Sequence, residues 1–321
     1  MICPEIHYKK NESGVTVTSC YGVDGAIWLP DEIEGLPVTA IAPYAFSSGE
    51  EDEGVLVWTS DEAALAAQRK RLKEADVLEV HLPRYVREIG RYAFYRCRNM
   101  KKFSMHDELL DIGGGALNGC RFQEVEVYFH RGERSAFQSV VEEIRFAIHA
   151  VLCYERADGT EEISEIIFPE HYEEAVENTP ARILYTSHHG AGGYYRQCFY
   201  DRKLDYKKYD ELLPRAVAEE DAHVVVKLAL ARLVYPYQLS QGAKEAYEGY
   251  IKSHMQETAE FLVDEEAWEK LHFLSDYDFW AEDTLEYAIE YAGKQKKTDM
   301  LSVLMDEKHR RFPKKKKTFE L

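Results

Sequence analysis

Residues 82–97 read LPRYVREIGRYAFYRC, and the end of that stretch, EIGRYAFYRC at 88–97, returns as DIGGGALNGC at 111–120. Ile89, Gly90, Ala93, Phe94 and Cys97 align with Ile112, Gly113, Ala116, Leu117 and Cys120, each pair 23 residues apart. A fixed period of that length predicts a solenoid, in which one coil of chain stacks on the next. Upstream, Val80 and Leu82 alternate with polar residues, as Phe103 and Met105 do 23 residues later. Such alternation predicts a short strand with one buried face. Gly90 and Gly113 fall where a side chain would obstruct the backbone. The Ala-Phe and Ala-Leu pairs plug the coil, and Cys97 and Cys120 close it.

Working outward, AIWLP at 26–30 and LPVTAIAPYAF at 36–46 form a more divergent copy. Phe46 to Phe94 is 48 residues, about two periods. The excess, 47–76, is expected to be an excursion made of an acidic loop and a polar helix capped by Ser60. A degenerate unit with Phe122, Val125, Val127 and Ala136-Phe137 follows.

The pattern LPxxVxxIGxxAFxxC, carried by 82–97, resembles the BspA-like family of leucine-rich repeats over about 15–137. The resemblance implies a repeat scaffold associated with adhesion and protein binding. It brings no catalytic residues. Many members lie on cell surfaces, whereas MICPEIHYKK at the start of this chain has no apolar export core.

Beyond the repeat, RFAIHAVLCYE and ISEIIFPE flank Ala157-Asp158-Gly159, a hairpin signal. AFQSVVEEI reads as a short helix, and HYEEAVENTP at 171–180 as another that ends before Pro180. From about 204 the chain reads as helices. They are five short to medium helices: 224–236, 239–263 capped by Ser240, one capped by Asp264, then 282–295 and 297–312. The last pair weakly resembles an ankyrin-type helical repeat. The expected fold class is therefore α+β: a leucine-rich-repeat solenoid over 1–137 with its insertion at 47–76, a small α/β connecting segment over 138–215, and an all-helical, repeat-like region over 216–321 with a basic tail.

Net charge bounds the partners. At −18 over 321 residues, the chain is expected to avoid nucleic acid and anionic membranes and to favour a protein with basic patches. The tail 308–321 is the basic exception and continues a helix C-terminus, where cations are favoured. Six cysteines without a CxxC suggest free, buried thiols rather than a disulfide scaffold or zinc site. No run approaches the ~20 apolar residues of a membrane span, so a cytoplasmic location is expected.

TSHHGAGGYYRQCFYD at 186–201 is the most unusual local sequence. His188, His189, Arg196 and Cys198 form its candidate cluster: a Cys–His nucleophile, a two-histidine metal site, or a glycine cradle for phosphate with Arg196 as counter-charge. Each lacks a needed element: an orienting third group, further ligands, or the GxGxxG and P-loop spacing. The competing reading is a tight glycine connection with surface histidines. The expectation is thus a non-enzymatic interaction scaffold without catalytic residues, metal or cofactor. A hydrolase or transferase on 187–198 and a surface adhesin are the alternatives.

Overall fold

The computed structural model describes residues 3–49, 53–60, 69–178 and 183–313, with backbone only for 175–178 and 183–188. They form two compact units, 1–212 and 213–321.

The first unit runs β1 (Glu5–Asn11), β2 (Gly14–Gly22), β3 (Ala26–Trp28), β4 (Glu32–Ile33), β5 (Leu36–Ile41), β6 (Leu56–Thr59) and β7 (Lys70–Arg71). A 3-10 turn at Glu74–Asp76 leads to β8 (Glu79–His81), β9 (Glu88–Ile89), β10 (Lys102–His106), β11 (Asp111–Ile112), β12 (Glu124–Phe129) and α1 (Phe137–Glu143). Next come β13 (Ile148–Glu155), β14 (Glu161–Phe168), β15 (Tyr172–Asn178) and β16 (Ile183–His189). The unit closes with α2 (Gly192–Tyr195), β17 (Phe199–Tyr200), β18 (Lys203–Leu204) and α3 (Tyr206–Asp210).

The coils that hold β3 and β5, β8 and β9, and β10 and β11 each contribute one strand to each of two sheets, whereas β12 and β13 join the first sheet only. The first sheet has the order β14-β13-β12-β10-β8-β3, and the second follows β11-β9-β5-β2-β1-β6. The repeat period becomes register: Phe103 of β10 lies beside Val80 of β8, and Ile112 of β11 beside Ile89 of β9. Leu82 then donates its N–H to the Ser104 carbonyl, which keeps Leu82 level with Met105. Phe94 and Leu117 are both buried. Phe94 stacks on Phe46 at 5.0 Å and meets Phe103 edge-on at 6.0 Å, and Phe103 stacks on Phe122 at 5.5 Å. A phenyl spine therefore threads the coils.

Gly90 and Gly113 are required by close approach. A Cβ on Gly90 would lie 2.3 Å from the Pro43 nitrogen, and one on Gly113 would lie 2.4 Å from the Arg91 nitrogen. Their N–H groups donate across the coils to Ile41 and Ile89. The cysteines complete the stitch. The Cys97 thiol donates to the Phe46 carbonyl at 3.6 Å, and the Cys120 thiol to the Phe94 carbonyl at 3.2 Å. All six cysteines are free, and only Cys153 is not fully buried. Bonding to Cys120 and then burial push the Cys97 thiol well above its ordinary range. Titration with a thiol reagent should therefore find Cys153 first in the native protein and six thiols after denaturation without reductant. Recovery of two would contradict the free-thiol structure.

The excursion 47–76 departs from its expectation. Its LVWT run forms β6 on the edge of β1, and β7 pairs with β2. Residues 74–76 make a 3-10 turn rather than the end of a helix. The β-branched and aromatic run favours pairing with an open edge over loop. The remainder of the expected helix, 61–68, lies outside the described residues. Of the expected helix at 171–180, residues 172–178 are strand instead: β15 pairs antiparallel with β16, and 179–180 lie outside the described residues.

The first sheet ends by reversal. β3, β8, β10, β12 and β13 run parallel, but β14 returns antiparallel through a turn with Gly159 at φ 81°. The phenol of Tyr209 on α3 donates to the Ile167 carbonyl at 2.6 Å and accepts from the Ile167 N–H at 3.2 Å.

The second unit contains α4 (Leu213–Glu219), α5 (Ala222–Val234), α6 (Gln241–Ser253), α7 (Met255–Asp264), α8 (Trp268–Asp276), α9 (Glu282–Lys294) and α10 (Thr298–Arg311). α5 is apolar on most sides, with Val225, Val226, Leu228 and Leu230 buried, so it packs against α4, α6, α7 and α8. The single helix expected over 239–263 is two. The break falls at His254, where the Ser253 hydroxyl and the His254 ring both turn back to the Tyr250 carbonyl. Asp264 ends α7 instead of capping α8. In the basic tail, Lys308 pairs with Glu286, and Arg311 with Glu307 and Asp278. Residues 314–321 lie outside the described residues.

Candidate functional site

In a strand, alternate side chains face opposite ways. Val80, Phe103, Met105, Val125, Val127, Ala150 and Leu152 fill the core side of the first sheet. Their neighbours therefore build its outward face. Cross-strand register places Trp28 beside His81, His81 beside Ser104, and Ser104 beside Glu126. Further along, His106, Tyr128 and Cys153 share a row.

Stacking and charge order this face. Trp28 lies flat on His81, with ring centroids 3.4 Å apart and an 11° interplanar angle. His106 is stacked between Tyr128 at 5.1 Å and His130 at 5.2 Å. The His106 Nδ1 and His130 Nε2 are 2.9 Å apart, and the other His130 nitrogen is 2.6 Å from Glu155. Lys102 pairs with Glu126 at 2.6 Å, and His149 with the buried Glu165 at 2.6 Å. Glu79, Glu124, Glu155 and Glu161 add further carboxylates, while Lys102 is the one lysine or arginine at an outward position of these strands. The face is acidic, with histidines and aromatics embedded in it.

The His106 ring is pushed down to about 4, first by burial and then by His130, while Asp31 and Asp107 pull the other way. A free imidazole titrates near ~6.5. Between these values the unfolded chain takes a proton that the folded ring refuses. The stabilising contribution is thus fully present above about 6.5 and is lost as pH falls toward about 4, at up to ~1.4 kcal/mol per pH unit before screening by partial exposure. Urea midpoints measured from pH 7 to 4 should fall, and His106→Gln should flatten that fall. NMR titration of His106 near 6.5 would contradict it.

The 186–201 segment has a different character. His188 sits on β16, with its side chain outside the description. His189 is half-exposed, with Nε2 3.5 Å from Glu174 and its ring 5.4 Å from Tyr172. Arg196 is buried, and its guanidinium donates to the carbonyls of Ile144 (3.1 Å), Phe146 (2.7 Å), Gly192 (3.0 Å) and Pro169. Cys198 is buried, its thiol turned to the Tyr194 carbonyl at 3.6 Å and pushed up to about 12 by burial. A thiol held protonated at neutral pH is a poor nucleophile. The glycines bring main chain against main chain: a Cβ on Gly192 would meet the Glu170 carbonyl at 2.1 Å. Among the described residues, no group of three or more His, Cys, Asp or Glu side chains is placed to hold a metal ion.

Residues 69–179 match the family model of the BspA type leucine-rich repeat region, in 6 copies. This segment is a BspA-type leucine-rich repeat region. The match begins after the divergent copy at 26–46, although β3 and β5 of that copy pair in register with β8 and β9. It also continues past 137, where the 23-residue pattern fades, because β13 extends the same parallel ladder beside β12. No curated protein and no solved structure matches the chain. The BspA-type repeats thus supply most of the outward face, from β8 to β14. Sequence periodicity locates the core positions of that face but does not single out its His106–His130–Glu155 chain. The signal available for it was the polar residue between each pair of core positions.

Proposed function

We propose that this protein is a non-enzymatic protein–protein interaction scaffold and that the outward face of its six-stranded sheet binds the partner. The observation that carries the reading is that face itself. It holds Trp28 and Ile163, each 39% exposed, on its two edge strands, with Tyr128 and a field of carboxylates between them, on strands fixed by a packed core. Exposed aromatics on a rigid support are favoured contact residues. The acidic field suits a partner with basic patches and opposes phosphate backbones and anionic lipid. No helix among the described residues is long and apolar enough to cross a membrane. The free thiols favour a reducing, cytoplasmic setting. The internal bonding of Arg196 and the protonated Cys198 favour a structural role for 187–198 over a hydrolase or transferase site.

The test is a photo-crosslinking amino acid at position 28 or 163, compared with position 200, in extract of the native cell. Protein adducts from 28 and 163 that diminish as salt rises are expected. Equal adducts from position 200, or none from the sheet face, would overturn the reading.

A further inference from the structure

The turns that close the coils carry a second repeat. Arg98 follows Cys97 and Arg121 follows Cys120, so the period that sets the two thiols in successive coils also sets two arginines in successive coils, and both line one cleft. Arg96 adjoins them from a left-handed turn position, φ 62°. Its counterpart one period later is Gly119, φ 85°, where a Cβ would lie 3.3 Å from the Arg96 Cα, so the glycine lets Arg96 pack against it. The result is a cleft of about 810 Å³ whose lining includes Tyr95, Arg96, Arg98, Arg121, Arg145 and Phe146.

Among the described residues, Arg96, Arg98 and Arg121 pair with no carboxylate, while Arg145 shares Glu173 at 3.2 Å. Arg96 lies over the Tyr95 ring at 5.2 Å and Arg121 over Phe146 at 5.6 Å. An aromatic under a guanidinium plane leaves the N–H edge free to meet an anion. The one carboxylate lining the cleft, Glu143, directs Oε1 to the Leu117 N–H at 3.1 Å. Adjacent coils are separated by about 5 Å, so the forks of Arg98 and Arg121 can both reach one tetrahedral anion.

We propose that this arginine-lined cleft binds a phosphate monoester carried on a phosphorylated side chain of a protein partner. A compact dianion suits the site better than an extended polyanion, which the rest of the chain would repel. The exposed arginines line an open turn edge, so a segment of chain can lie along it with its flanking residues on Tyr95 and Phe146. The site is separate from the sheet face, and its test does not depend on that face having a partner.

The test uses the full chain labelled with ¹⁵N-arginine. It is titrated with phenyl phosphate, with a short peptide holding phosphoserine between alanines, and with the same peptide unphosphorylated. Saturable shifts of the Arg98 and Arg121 Nε–H signals are expected with the phosphopeptide, which should bind about fivefold or more tighter than phenyl phosphate. R98Q/R121Q should weaken binding by about tenfold or more with the thermal midpoint unchanged, and R98K/R121K should also weaken it because the bidentate fork is lost. Equal binding of phenyl phosphate and phosphopeptide would overturn the assignment to a protein partner. Equal binding of the unphosphorylated peptide, or affinity unchanged in R98Q/R121Q, would overturn the site.

Discussion

Phe94→Ala is expected to destabilise the first unit by about 3–5 kcal/mol, read as a lower urea midpoint. The ring is fully buried and touches the coils on either side: Phe46 face to face and Phe103 edge-on. Its removal interrupts the phenyl spine, and the flanking main chains, tied by the Phe46 to Ala93 and Phe94 to Ala116 hydrogen bonds, resist closing on the gap. Phe94→Leu is the control. The equivalent position of the next coil is Leu117, so the coil accepts that shape, and the cost should stay below about 1.5 kcal/mol. An unchanged midpoint for the alanine variant would deny that the spine carries the stack.

Arg196→Met should be comparably damaging, at about 3 kcal/mol or more. Methionine fills much of the volume but offers no donor to the carbonyls of Ile144, Phe146, Pro169 and Gly192. Those oxygens lie on separate stretches of chain that the guanidinium holds at one point. Arg196→Lys should recover only part of the loss, since an ammonium cannot span the same fork. Wild-type stability in the methionine variant would show that water replaces the guanidinium.

The repeat was legible because its buried positions recur at a fixed interval, and stacking converts an interval directly into register. The 148–168 hairpin was legible for a similar local reason, a turn with Gly159 between apolar runs. Residues 171–178 were not. Glu173, Glu174, Ala175 and Glu177 favour helix locally, yet pairing with 183–189 decides the conformation. The N-terminal hairpin β1–β2 has its own signal, alternating Ile6 and Tyr8 before Asn11 and Gly14, but β1 carries none of the 23-residue repeat positions. In the candidate cluster, nothing local distinguishes a buried Arg196 from a surface arginine. Its partners come from stretches 27 and 52 residues away.

The reversed strand β14 bears on how the molecule behaves in a crowd. A ladder of parallel coils is open-ended by construction, and any exposed last rung is a template on which a second copy could continue it. Here the final rung runs backward, and the Ile167 amide and carbonyl are both occupied by the Tyr209 phenol. At the opposite edge, the Cys3 N–H occupies the Trp28 carbonyl. Both edges of the first sheet thus carry backbone groups already engaged by their own chain, which opposes in-register continuation by a second copy there and favours encounters through the broad face.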